Sequence, residues 1–339
     1  MDSPMEPSCL LLFCTNTLWS RSNVTEQSEQ SNGNVKTKKV IKELLDKSLP
    51  RKCVYHVVVT DGIVGTDCKM MTEEMDEFPM SISLLMLGHS VETEFIPFSF
   101  SHSDCRLLTK CWDENGKKIP EFMSTLLQKP VKMVNLYCPM SGIEQEISYS
   151  MYRNLRKPLI AGGYVNEKVL KDLRGHTHSS DEGSIVSGLA FCGDGIQVAS
   201  VLIRNEVEEE AEVDAVIKKL TEYKFPLHHS FGLMYACVGR GMHVYSKPNV
   251  ESSIFRKYFP NTPLLGFFGN GEIGCCYPPA NRSSPSSHVD DVDGGIRLTA
   301  AQMKRRRANM ETDKQDLEMK HPPKLLHAYT TVMCLISLP

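Results

Sequence analysis

Residues 231–241 read FGLMYACVGRG, and after a helical interval residues 263–274 read PLLGFFGNGEIG; these two segments decide how the chain is understood. Each is an apolar run that closes on glycines, the first at Gly239-Arg240-Gly241 and the second at Gly269-Asn270-Gly271-Glu272. Short apolar runs bounded by turn residues are buried strands, and their tips are glycine turns. Chemistry belongs at those tips. Glycine adopts positive φ and admits a ligand or another backbone, while Arg240 and Glu272 supply one charge of each sign. The candidate ligand or client contacts are therefore Cys237, Gly239, Arg240, Gly241, Asn270, Gly271 and Glu272. Each has a bland alternative: a tight turn whose Arg240 pairs with a carboxylate such as Glu272, a two-residue hairpin at Asn270-Gly271, and a buried strand cysteine at Cys237.

Working outward, the interval between the two runs is a helix over 250–259, with Asn249 as its cap and Pro260 as its stop. Upstream, Val213, Val216, Ile217 and Leu220 place an apolar stripe on a helix over 207–223. Its acidic start (Glu208, Glu209, Glu210) and later Lys218, Lys219 and Lys224 suit the helix dipole. Residues 185–191 and 196–203 flank Gly193-Asp194-Gly195 and read as a hairpin, as do 81–87 and 91–98 around Gly88-His89-Ser90, the first of these runs being apolar enough for burial on both faces. A strand at 8–14, a helix ending before Pro50 with Val40, Ile41, Leu44 and Leu45 on one face, and a β-branched strand at 53–60 open the chain. A short helix at 120–127 and strands at 131–138 and 159–161 follow. The order hairpin, helix, strand occurs twice, which suggests internal duplication. The fold class expected is α/β of the mixed α+β kind, with layered mixed β-sheets and flanking helices, because hairpins require antiparallel pairs.

A chain of 339 residues can bury a sizeable core, and a formal charge of −3 gives no reason to expect nucleic acid or an acidic membrane surface. The twelve cysteines sit mostly inside apolar runs, which is how reduced intracellular thiols serve as small hydrophobes. No cysteine or histidine spacing suits structural zinc, and His176, His178 and Asp181 read as solvated loop residues; no cofactor is expected. The apolar stretch 9–14 is too short to span a bilayer. From 276 to 324 the pattern gives way to prolines, serines, an aspartate cluster and the basic run Lys304, Arg305, Arg306, Arg307, which reads as a disordered insertion carrying a candidate nuclear-import signal.

The segments GLMYACVGRG (232–241), FRKYFP (255–260), GFFGNGEIG (266–274) and HAYTTVM (327–333) resemble the C-terminal half of the FIST domain as it occurs in the F-box-only protein 22 family. A weaker likeness in strand pattern extends back through LIAGGYV (159–165). The resemblance implies a two-part FIST-like region: 1–34 as an N-terminal strand and flexible loop, 35–157 and 158–275 as FIST N- and C-terminal parts, 276–324 as the insertion, and 325–339 as a terminal strand. It also implies a substrate-recognition or adaptor module of a cullin-RING ubiquitin ligase that binds client proteins and is not itself catalytic. No F-box is recognisable before Cys53, so a Skp adaptor and a cullin are expected as partners only if a longer isoform supplies one. A second reading is a sensor for a small, amino-acid-like ligand, since opposite charges at neighbouring turns suit a zwitterion. A third is a cysteine-dependent enzyme built on Cys237. The expected location is cytoplasm, nucleus or both, with no membrane or nucleic-acid partner.

Overall fold

Strands rich in β-branched and aromatic residues build three mixed sheets, and the computed structural model describes residues 6–20, 34–76, 80–110, 121–140, 142–279 and 323–339 of them and their connections. Residues 280–322 of the expected insertion, with its Lys304–Arg307 run, and residues 21–33 of the expected loop lie outside the described residues, whereas Tyr277, also expected in the insertion, forms an antiparallel bridge with Ser200. Residues to Pro278 together with 325–339 form one compact unit.

The chain opens with β1 (Pro7–Thr15), α1 (Asn16–Trp19), α2 (Asn34–Ser48), β2 (Val54–Thr60), β3 (Gly62–Thr66), β4 (Thr72–Met75), β5 (Ile82–Gly88) and β6 (Glu94–Ser101). It continues through α3 (His102–Lys110), α4 (Glu121–Leu127), β7 (Val131–Cys138), α5 (Glu144–Asn154), β8 (Leu159–Tyr164), β9 (Glu167–Lys171), β10 (Thr177–Ser179), β11 (Ser184–Cys192) and β12 (Gln197–Ile203). The remainder is α6 (Glu210–Lys218), β13 (Ser230–Cys237), α7 (Met242–Tyr245), α8 (Val250–Tyr258), β14 (Leu264–Gly269), β15 (Glu272–Ile273), β16 (Leu326–His327) and β17 (Thr331–Ser337). One sheet has the order β10-β9-β2-β1-β5, the second β6-β11-β7-β8-β15-β16, and the third β12-β17-β13-β14-β3-β4.

The second and third sheets repeat one topology. In both, the first strand pairs antiparallel with the second, the second antiparallel with the third, the third parallel with the fourth, and the last two steps are antiparallel. The parallel pairs β7–β8 and β13–β14 are each joined through helix, as parallel pairing demands. Register aligns the copies: Leu136 faces Gly162 in one and Met234 faces Gly266 in the other. Both glycines have φ near the positive limit, 147° and 157°, and a Cβ on either would lie within 2.0 Å of the facing carbonyl oxygen. Tyr137 and Tyr235 are consequently equivalent, and their hydroxyls meet at 3.2 Å in the core. Each half also lends its neighbour a ribbon, β3–β4 closing the third sheet and β15–β16 the second.

Inner faces of all three sheets pack on one core that includes Phe13, Tyr137, Phe191, Tyr235 and Phe267. Helices cover the outer faces: α3, α4 and α5 on the second sheet, α6 and α8 on the third, α1 and α2 on the first. Val213, Ile217 and Leu220 are buried as the stripe requires, whereas of the four α2 residues expected on one face Ile41 and Leu45 pack and Val40 and Leu44 are exposed.

Both hairpins expected from sequence, and the alternative hairpin at Asn270-Gly271, are crossings between sheets. β5 pairs with β1 while β6 pairs with β11; β11 pairs with β6 and β7 while β12 pairs with β17; β14 lies in the third sheet and β15 in the second. A glycine turn reverses the chain equally well in either case, and burial of the strand faces chooses the partner. Nor is β5 buried on both faces, since Ile82, Leu84 and Met86 are exposed. The glycines at 162 and 163 do not end their strand, because β8 continues to Tyr164.

Candidate functional site

β13 and β14 are adjacent and parallel, so the two glycine tips emerge at the same edge of the third sheet. The carboxyl ends of parallel strands are where α/β sheets open a crevice, because the chain departs from each in a different direction. Here β13 leads through Val238–Gly241 to α7, and β14 leads through Asn270 and Gly271 into another sheet. Between them lies an open cleft of about 1030 Å³, lined by Asp61, Asp76, Cys237, Val238, Gly239, His243, Asn270, Ala328 and Tyr329.

Tyr329 is 64% exposed, and its ring lies against Gly239, where a Cβ would sit 2.8 Å from a ring carbon. Asp61 accepts hydrogen bonds from the amides of Asn270 (3.1 Å) and Asn166 (3.0 Å), two residues at equivalent places after β14 and β8. Asp76 accepts from the Met242 backbone N–H at 2.8 Å, and Gly241, at φ 59°, leaves room for that carboxylate.

Two of the expected contacts face elsewhere. Arg240 is 1% exposed and does not meet Glu272. Its Nε and one terminal nitrogen donate to Oε1 of the fully buried Glu251 at 3.1 and 2.8 Å, and the guanidinium also donates to the Val207 carbonyl and the Tyr245 hydroxyl. The turn thus tucks the charge under α8 instead of offering it to a ligand. Asn249 does not cap α8 with its side chain; it has left-handed backbone at φ 62° and accepts from the Glu74 N–H. Glu74 in turn accepts from the Ser252 N–H at 2.6 Å, at the start of α8. Burial, and then the charge of Glu251, push its carboxyl up to about 7.

Glu272 is also fully buried. Its Oε2 accepts from the Thr330 N–H and hydroxyl at 3.1 and 2.6 Å, and burial pushes the acid up to about 7. Cys237 lines the cleft at 6% exposure, with its thiol pushed up by burial and by Glu272. A cationic neighbour does not activate it, since Arg240 is held by Glu251. The structure therefore brings Cys237, Gly239 and Asn270 to the cleft wall and keeps Gly241, Gly271 and Glu272 as its supports. Sequence reasoning did not identify Asp61, Asp76 and Tyr329, whereas His243, a histidine able to approach Cys237 in space, does line the same cleft. Of the first three, only Tyr329 stood within a family-like segment, and the two aspartates come from the distant β2–β3 and β4–β5 connections.

The FIST C domain family matches residues 183–275, the span from the start of β11 past β15 that contains both glycine tips. That stretch of the chain is thus similar to the FIST C domain family. It is similar to F-box only protein 22 of Homo sapiens and of Pongo abelii, 31% identical to each over 306 residues, covering 87% of this chain and 66% of the relative. The matched region is thus slightly less than two thirds of those relatives' length. The similarity reaches well beyond the FIST C domain itself, so the first half of the chain shares in it. Among the described residues no helix is long and apolar enough to cross a membrane, and no cluster of three metal-ligating side chains occurs.

Proposed function

We propose that this chain is a client-recognition module acting in ubiquitin-dependent protein degradation, and that the cleft at the tips of β13 and β14 holds a client side chain. The carrying observation is similarity to F-box only protein 22 over 87% of the chain, together with a cleft to which the matched FIST C span contributes Cys237, Gly239, His243 and Asn270, the C-terminal segment Tyr329, and the N-terminal half Asp61 and Asp76. The lining suits recognition more than covalent chemistry, since the Cys237 thiol is raised and buried. Two aspartates beside an exposed tyrosine ring favour a basic side chain, through charge and cation–π attraction. Ligase chemistry would belong to partners, a Skp adaptor and a cullin, recruited by an F-box on a longer form. Lys304–Arg307 is proposed as a nuclear-import signal, giving a protein of cytoplasm and nucleus.

Affinity purification of the tagged chain, in parallel with Tyr329→Ala and Asp76→Asn variants, tests this reading. Specific proteins recovered with the wild type and lost with both variants, while the variants melt normally, support it. An unchanged set of bound proteins counts against the cleft, and absence of a Skp adaptor and cullin counts against assembly by this chain alone. The cleft's size also supports a second reading, a sensor for a small amine or amino acid. With Arg240 turned inward, a ligand carboxylate would depend on backbone N–H groups. A saturable rise in melting temperature with added amino acids would support the sensor, since a ligand that binds only the folded state stabilises it by mass action.

A further inference from the structure

We propose that Asn270 is a site of spontaneous deamidation and that its conversion to aspartate opens the junction at the mouth of the cleft. The fold requires glycine after this asparagine. Gly271 has φ 137°, and a Cβ there would lie 2.5 Å from the Tyr164 ring. Its carbonyl is fixed by the Tyr164 N–H at 3.0 Å, so the turn cannot swing away from that ring. A side chain at 271 would shield the peptide nitrogen, and the only residue the turn accepts is the one that leaves it bare. Asn270 itself is exposed to water.

In the reaction the Gly271 peptide nitrogen gives up its proton and attacks the Asn270 side-chain carbonyl carbon. A C–N bond forms, closing a five-membered imide, and the side-chain amide leaves as ammonia, taking up a proton. Water then opens the ring at either carbonyl, giving aspartate or isoaspartate. The sum is one amide and one water converted to one acid and one ammonia, with no oxidation.

Its consequence follows from the partner. The Asn270 amide donates to Asp61 Oδ2 at 3.1 Å, linking the β14–β15 crossing to the β2–β3 crossing. A carboxylate at 270 cannot donate and sets two like charges against each other. Asn166 holds the other Asp61 oxygen from the equivalent position in the first half, but Glu167 follows it. The duplication thus provides its own comparison: two asparagines on one carboxylate, only one with a glycine after it.

The test is incubation of the full chain at mildly alkaline pH and body temperature, followed by digestion and mass spectrometry. The expected result is a gain of one mass unit on the Asn270 peptide, with isoaspartate labelling, and none on the Asn166 peptide. Asn32-Gly33 and Asn115-Gly116 serve as references in the same sample. If those convert and Asn270 stays intact, the fold protects it and the site is wrong. The structural half is read from Asn270→Asp, which should lower the melting temperature by a few degrees, and from Asp61→Asn/Asn270→Asp, which restores an amide–carboxylate pair and should recover it. A single variant as stable as wild type, or a double variant no better than the single, overturns the link to Asp61.

Discussion

Replacing Arg240 by methionine separates a framework residue from a ligand contact. The guanidinium is 1% exposed and lies 2.8 Å from Glu251, which is 0% exposed, and the buried Glu74 feels the same Glu251 charge. Methionine retains a stem of similar shape and removes the charge, so Glu251 is left buried without its cation. At an effective dielectric of about 20, the Coulomb energy of one such pair is roughly 6 kcal/mol, an upper bound that desolvation of both charges reduces. Removal of one partner of a buried pair typically costs about 3–5 kcal/mol, because the other charge stays behind. In a compact unit of this size each kcal/mol moves the melting temperature by roughly 1.5–2 °C, so the variant should melt on the order of 5–10 °C lower. Urea unfolding followed by circular dichroism gives the free energy directly. Adding Glu251→Gln to Arg240→Met should recover a large part of the loss, since the stranded charge disappears. An Arg240→Met protein that unfolds within about 1 kcal/mol of wild type would refute the reasoning, because surface changes have effects of that small size. Loss of client binding without loss of stability would return Arg240 to the ligand role.

Other expectations concern pH, the core and the cleft. Glu74 and Glu272 both titrate near 7 in the fold against an ordinary value of about 4.5, so the folded state holds protons that the unfolded chain has released. The stability they contribute is fully present below about pH 4.5 and is lost as pH rises through 7, by a few kcal/mol for each group. Glu74→Gln or Glu272→Gln should flatten that slope in unfolding free energy measured between those pH values, and an unchanged slope would contradict it. Tyr137 and Tyr235 share one buried hydrogen bond at 3.2 Å. Either tyrosine-to-phenylalanine change alone should cost about 1–3 kcal/mol by orphaning the other hydroxyl, and the double change less than the sum, as a double-mutant cycle would show. For the cleft, Tyr329→Ala should leave melting nearly unchanged, because that ring is exposed, while abolishing client recovery; retained recovery would remove the tyrosine from the site.

Local signals carried much of the architecture. Apolar runs identified β1, β2, β7, β13 and β14, and helical periodicity identified α6, because strand and helix burial imprint a period on neighbouring residues, while Pro260 marked the end of α8. The two glycine tips, and the family segments around them, were equally readable, since a turn's backbone demands fall on the residues that make it. The sheet partner of each strand was not legible. Gly88–Ser90, Gly193–Gly195 and Asn270-Gly271 turn the chain as a hairpin would, yet each passes it to another sheet, because three sheets share one core and long-range burial decides the pairing. The charges at the site obeyed the same limit. That Arg240 and Glu272 are ionisable is plain in the sequence; that Glu251 claims one and Thr330 the other depends on which helix and terminal strand pack beside them. Asp61, Asp76 and Tyr329 come from segments far apart in the chain, and only the reciprocal exchange of β3–β4 and β15–β16 brings them to one cleft.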